Sequence, residues 1–564
     1  MCNRATLMII AFVIIAFRHA YGSVSSLSQG AQGPVLIENA WVIDMRADAP
    51  PRIASVLVQD GLVAAIGPLE DSSVSDDVQR VDGTGRFLLP GLTDAHVHLL
   101  DRNDLPVLLA HGITSVLNMS GAAVHLEWRE QIDMGKLAGP TLYTTGPQLK
   151  VRAEPLVDFE RAVGSESAAR QLVNYEAEAG FDFAKVWGAL SPSIYAAVMS
   201  EAAARGIRVT GHIPQDVGLE AVLEAGQSSI AHVEEFFNKV LDRRLDDPRL
   251  SEVAARTSAA GIPVITTLVT YEAIAGSVAE DPSPLLNREA KRWIDPVRQL
   301  LWEPQYNRYR TPDRLGRDAE YRKTLSSLGY IARALYLAGV PLIAGSDAGE
   351  MPGLVPGADL HRELELLEAA GLSRFAVLQT ATRNAGAYLD PDVGFGTIEV
   401  GKRADLILLD ENPLESLKNL KNPAGVMTRG RWFSRSDIEA MLAGVRDINK
   451  RTGAFAELLL RQGIEAAERY VAGLGGEQPG FAESPALLLA FGLAQQGNLE
   501  GALRVVQLVA RTYPDSYMPN YIMGVALMSA GHVADGRAAL ERVLEIVPNH
   551  DAARALLAST GGGP

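Results

Sequence analysis

Between residues 93 and 389, short apolar runs alternate with longer stretches of helical spacing such as SPSIYAAVMSEAAARG; the runs are ITSVLNM, PTLYTTG, FDFAKVW, IRVTGHI, SSIAHV, PVITTLV and VPLIAGSD. Short apolar runs bounded by turn residues read as buried strands, and their alternation with helical stretches predicts an α/β fold with a parallel sheet and crossover helices. Seven or eight such units over residues 93–389 suit a (β/α)8 TIM barrel better than an open doubly wound sheet, an alternative the pattern leaves open. Most of the notable polar residues fall at the ends of these strands, where barrel active sites are built.

The flanks carry a different pattern. VLIENAWVID, IASVLVQDGLVAAIG and RFLLPGL are short β-rich runs separated by Gly, Asp and Pro, and a matching set returns in GFGTIEVGKRADLILLD and GVMTRGRWF. Residues 23–92 and 390–440 are therefore expected to build one composite β-sandwich domain, discontinuous in sequence. Within the second set Gly401 and Pro413 read as turn residues, and Lys402, Arg403 and Asp405 as a strand edge.

The last hundred residues turn Ala- and Leu-rich with helical spacing. A linker helix is expected over 441–480 and a repeat over 481–560. Aligning ALLLAFGLAQQGNLEGALRVVQLVARTYPD with NYIMGVALMSAGHVADGRAALERVLEIVPN pairs Ala490 with Gly524, Gly497 with Gly531 and Pro514 with Pro548, each offset by 34 residues. That period resembles the tetratricopeptide repeat, a helix-turn-helix unit. Two units fall short of the three usually needed for independent stability, so the module is expected to lean on the helix around 454–473 or on the main body. The plainer alternative is an incidental helical hairpin.

At 564 residues, with 47% hydrophobic and 21% charged positions, the chain has the composition of a globular protein of two or three folding units. A net charge of -16 without any basic tract argues against nucleic acid as a partner. Residues 1–22 read as a signal peptide: a short basic start, an apolar core at 7–17, then small residues. That core is too short to span a bilayer needing about 20 residues, so an exported protein, periplasmic or secreted, is expected in preference to an anchored one. Cys2 is the single cysteine and lies in this segment, leaving the mature chain no disulfide and no thiolate ligand.

Chemistry enters with FLLPGLTDAHVHLLD, where an apolar strand ends in His96 and His98. Residues i and i+2 of a strand point the same way, so both imidazoles can face one metal. Lys185 in FDFAKVW, His212 in IRVTGHI, His232 in SSIAHV and Asp347 in VPLIAGSD follow in order, each at the end of an apolar run. Imidazole and carboxylate ligands on separate strand ends suit a divalent metal such as zinc. Taken singly, each histidine could be a hydrogen-bonded strand-end residue, and Lys185 could extend its amine to the surface.

As an ordered set these residues resemble the amidohydrolase superfamily, more closely its imidazolonepropionase-like and prolidase-like members, over roughly residues 35–442. The resemblance implies two divalent metal ions, zinc (Zn2+) being favoured by the histidines although cobalt, manganese or iron can occupy similar positions. It places His96 and His98 on one metal, His212 and His232 on the other, and a carbamate on Lys185 as the bridge. A buried amine of lowered pKa can capture carbon dioxide and become a bidentate carboxylate. Asp347 would contact the first metal and the bridging hydroxide and act as general base. The implied activity is hydrolysis of a carbon–nitrogen bond in an amide, a cyclic amide or an X-Pro dipeptide; ester or lactone hydrolysis on the same centre is the chemical rival. A non-catalytic scaffold recruiting partners through the repeats is the reading of a different class.

The remaining histidines sort by context. His19 lies in the signal segment, His532 and His550 in the repeats, and His111 and His125 read as structural. His361, in PGLVPGADLHRELELL, resembles the family's segment beside the pocket and is expected on the substrate side, as are Tyr143 and Gln148 after PTLYTTG. One departure from prolidase-like relatives is Val233-Glu234-Glu235-Phe236-Phe237 after His232, which points to an acidic, aromatic pocket. The expected ligand is a small molecule, and a protein partner or self-association is left to the C-terminal repeats.

Overall fold

The helix Pro192–Arg205 shows how local sequence sets the elements. Ser191 caps its start by accepting from the amide of Ile194, proline occupies the first turn, and Gly206 ends it at φ 72°. The computed structural model describes residues 33–68, 77–151, 158–392, 394–474 and 479–559. The expected signal segment, with Cys2 and His19, lies outside the described residues.

All seven apolar runs form strands, which lie in two parallel sheets. Leu92–Val97, Ile113–Asn118 and Thr141–Thr144 make one. Phe183–Val186, Arg208–Gly211, Ser229–Ala231, Val264–Ile265 and Leu342–Ile343 run consecutively through the other, which Gln148–Lys150 and Glu160–Ala162 extend at one edge. Isolated parallel bridges pair Thr145 with Phe183 and Val97 with Ala348. Backbone bonds reinforce both seams: Gly146 N donates to Phe183 O at 2.8 Å, and Ala95 N to Ala344 O at 3.0 Å. Between the sheets the side chains of Ala95, Leu117, Phe183, Ile265 and Ile343 pack together, with Leu389 of the helix Arg383–Leu389 and Phe395 against them.

A separate eight-stranded sheet draws strands from both flanks. Phe87–Pro90 lies beside Leu406–Leu409 antiparallel and beside Val35–Val42 parallel, so a central strand from each end of the sequence meets in the middle. Arg403 fastens this sheet to the α/β body, donating to Ser115 Oγ and to Tyr143 Oη, both at 2.9 Å.

The chain then enters the helix Arg435–Gln462, opened by a capping box between Ser434 and Asp437. After Ile464–Gly473 come two helical hairpins, Glu483–Gln495 with Leu499–Thr512 and Met518–Ser529 with Val533–Ile546, and a last helix Asp551–Ser559. Gly497 and Gly531 turn the two hairpins at φ 83° and 85°. A Cβ at Gly524 would sit 2.7 Å from Leu540 Cγ, so its helix can approach the partner this closely only without a side chain there. Residues Glu483 to Phe491 are buried all round, because one side of that helix faces its hairpin partner and the other faces the α/β body. Phe481, Leu487 and Tyr517 share a core with Leu105 and Trp128. No helix among the described residues is long and apolar enough to cross a membrane.

Candidate metal centre

Leu92–Val97 is buried along its whole length, and its alternation sends His96 and His98 toward the loop that follows Leu342–Ile343. Asp347 in that loop brings Oδ1 to 3.1 Å from His96 Nε2 and 2.9 Å from His98 Nε2. The approach depends on missing side chains. A Cβ at Gly345 would lie 2.6 Å from His96 Cβ, and one at Gly349, where φ is 111°, would lie 1.9 Å from His98 O. Asp347 itself has φ 56°, a left-handed conformation that Asp tolerates better than most residues.

The other parallel strands complete the cluster. Lys185 is 1% exposed, with Nζ 3.4 Å from His96 Nε2. His212 and His232 stand just beyond their strands, with ring centroids 4.9 Å apart and His232 4.5 Å from His96. Ligand atoms of His96, His232 and Asp347 all lie within 4.8 Å of one another. The structure thus brings all six residues together, and the amine of Lys185 is at the centre, not at the surface.

Outer partners hold three of the imidazoles by Nδ1. His98 pairs with Ser120 Oγ at 2.7 Å, His212 with Glu235 Oε1 at 3.1 Å, and His232 with Thr267 Oγ1 at 2.7 Å. Fixing one ring nitrogen presents Nε2 as the inward, ligand-type atom. His212 Nε2 is buried and has no partner among the described residues, which a metal ion in the cluster would supply. Burial pushes His96 down to about 3, with Lys185 adding to the effect, and burial also lowers His212 and His232; all three are held neutral, the form that ligates. Burial opposes ionisation of Asp347, yet His96 and His98 outweigh it and keep the carboxyl well below the usual range. The donor set fits a divalent metal.

The remaining candidate residues have partners of their own. Tyr143 lies on its strand with its hydroxyl between Arg403, at 2.9 Å, and Asp390, at 3.2 Å, and its ring stacked on Phe395. His361 is buried with Nε2 2.8 Å from His111 O. Tyr143 Oη and His361 Nε2 are thus engaged outside the six-residue cluster, whereas His361 Nδ1 is buried with no partner among the described residues. Gln148 donates to Ser120 Oγ and so stands behind His98. Phe236 and Phe237 turn into the hydrophobic core, so the pocket is not aromatic on their account. Glu235 points at His212, and Lys239 binds its other oxygen at 2.6 Å.

Sequence alone does not single out Ser120, Thr267 or Glu235 as supports, although Thr267 lies within PVITTLV, Ser120 follows ITSVLNM and Glu235 is three residues past His232. We expect Glu235→Ala to weaken metal binding about 10- to 100-fold, measured by chelator competition, because the ring of His212 loses its anchor.

Residues 315–433, which include Asp347, match the Amidohydrolase family model. The ochratoxinase of Aspergillus niger is 22% identical over 443 residues, covering 67% of this chain and 81% of that protein. Among solved structures, bottromycin amidohydrolase superposes with a TM-score of 0.59 at 25% identity, covering 73% of this chain and 90% of its own. A protein of Bifidobacterium longum assigned as a prolidase gives 0.55 at 25% identity, covering 73% and 99%. Over residues 315–433 the chain is thus similar to the amidohydrolase family, and its fold is similar to that of these solved structures.

Proposed function

We propose that the protein is a metal-dependent hydrolase of carbon–nitrogen bonds in amides, cyclic amides or X-Pro dipeptides. The observation that carries this reading is the convergence of His96, His98, Lys185, His212, His232 and Asp347 at the C-terminal ends of parallel strands. The two seams support closure of the eight strands into a (β/α)8 barrel, whose catalytic face this is. The named relatives, an amidohydrolase and a protein assigned as a prolidase, support the bond class.

His96 and His98 would hold one divalent ion, zinc by ligand type, and His212 and His232 a second. Bound there, such ions supply Lewis acidity and make water acidic enough to ionise near neutral pH. Lys185 supports a bridging role: burial lowers its amine to about 8, so a neutral fraction is present at physiological pH to combine with carbon dioxide and release a proton. Asp347, kept ionised, takes the proton of the attacking water and returns it to the leaving nitrogen. The apolar segment at 7–17 supports export, and the 34-residue spacing of the hairpin glycines supports tetratricopeptide-type hairpins.

Elemental analysis of the purified protein tests the reading directly. About two metal ions per chain are expected in the wild type, with a clear fall in Lys185→Ala. A metal-supplemented wild type that retains none would sink it.

A further inference from the structure

Trp187 follows Lys185 by two positions. The alternation that packs Phe183 between the two parallel sheets and brings Lys185 to the cluster therefore turns Trp187 the same way, one step further toward the mouth. Its contacts agree: the indole centroid is 4.5 Å from that of the His212 ring and 5.8 Å from Lys185 Nζ. Backbone bonds on either side, from His212 N to Val186 O at 3.1 Å and from Gln215 N to Gly188 O at 2.9 Å, hold the residue in place.

This ring is not used for core packing. Trp128, Trp293, Trp302 and Trp432 lie in apolar clusters, whereas Trp187 belongs to none of those formed by the described residues. It is half-buried, and besides His212 and Lys185 it meets Lys150, whose Nζ is 4.6 Å from the centroid and which is itself paired with Glu160. The centre is also open on this side. The side chains of His96 and His98 are 0% and 3% exposed, those of Asp347 and His212 14% and 11%. Solvent thus reaches the cluster past Asp347 and His212, and the indole stands against the second of these. An aromatic face among a few polar groups, at the open side of a candidate metal centre, is the lining that small-molecule sites use.

Resting on the metal-hydrolase reading, we infer that Trp187 is a specificity-determining residue, whose indole receives an aromatic ring carried next to the scissile carbon–nitrogen bond. A ring packed on the indole gains buried hydrocarbon together with an offset or edge-on contact, and a methyl group in its place gains little of either. The short separation of the indole from Lys185 and His212 is what limits this contact to a group close to the reacting carbonyl.

Hydroxamates, which anchor on a bound metal, test this without knowledge of the natural substrate. Calorimetric titration of the metal-loaded full chain would compare acetohydroxamate with benzohydroxamate, with metal content measured for each variant. Wild type is expected to bind benzohydroxamate about tenfold more tightly than acetohydroxamate. Trp187→Leu keeps an apolar side chain without a ring and should bring that ratio close to one, while Trp187→Phe restores a ring and should keep most of it. The phenylalanine variant also shows that any loss in the leucine variant is not a failure to fold. Acetohydroxamate binding with the same benzo-to-aceto ratio in wild type and Trp187→Leu overturns the inference alone, as does an equal loss of both probes in the leucine variant, which would make Trp187 a support of the metal centre. Failure of acetohydroxamate to bind wild type refutes the metal-centre reading, and the inference falls with it.

Discussion

Asp347→Asn is expected to lower kcat by about 10³-fold, within the range that general acid–base groups contribute. Asn matches the shape of Asp and tolerates the same left-handed backbone at φ 56°, so the exchange adds little strain. Its amide offers no carboxylate to take the proton of water or to hand one to a leaving nitrogen. The close contacts of the carboxylate with His96 and His98, at 3.1 and 2.9 Å, change as well, so some metal loss accompanies the exchange. Turnover of the best substrate in a panel of amides, N-acyl amino acids and dipeptides, normalised to metal content, separates the two effects. A metal-replete variant that retained more than a tenth of the activity would remove Asp347 from proton transfer.

Asp158→Ala should cost about 3–5 kcal/mol of stability, because it strips a shared acceptor from the buried Tyr517 and His550 and leaves the half-buried Arg161 only partly paired. Two-state domains typically have about 5–15 kcal/mol in total, so release of the C-terminal helices, seen as new protease sensitivity beyond Ser434, is expected before global unfolding. The pH dependence has a definite sign. Burial works against ionisation of Asp158, yet His550, Arg161 and Tyr517 prevail and hold it well below the usual carboxylate range. A depressed folded pKa contributes stability above the unfolded value of about 3.9, and that contribution is lost as pH falls from there toward the folded value. The stability gap between wild type and Asp158→Ala should therefore be full near pH 7 and shrink below about pH 4. Chemical denaturation at both pH values checks this, and a gap independent of pH would mean that packing of the side chain, not its charge, holds the module.

The histidine pattern was legible because it is a local property: strand alternation puts residues 96 and 98 on one side wherever the strand lies. Lys185 shows the limit. An amine in an apolar strand can snorkel or be buried, and only the packing around Phe183–Val186 leaves it 1% exposed beside His96. Tyr143 and His361 show the same dependence, since only the packing decides that Tyr143 Oη meets Arg403 and that His361 Nε2 meets His111 O.

By itself the sequence determined the period of the elements, the seven strand runs, the strand-end polar residues and the 34-residue spacing at the C-terminus. These follow from side-chain alternation, turn residues and helical periodicity, all of which act over a few positions. Only the tertiary structure decided that strands from both flanks share one sheet, that Ser120, Glu235 and Thr267 orient the imidazoles, and that the last helices clasp Asp158. Those contacts join residues up to 392 positions apart, and a hydrogen bond between such partners depends on the packing of everything between them.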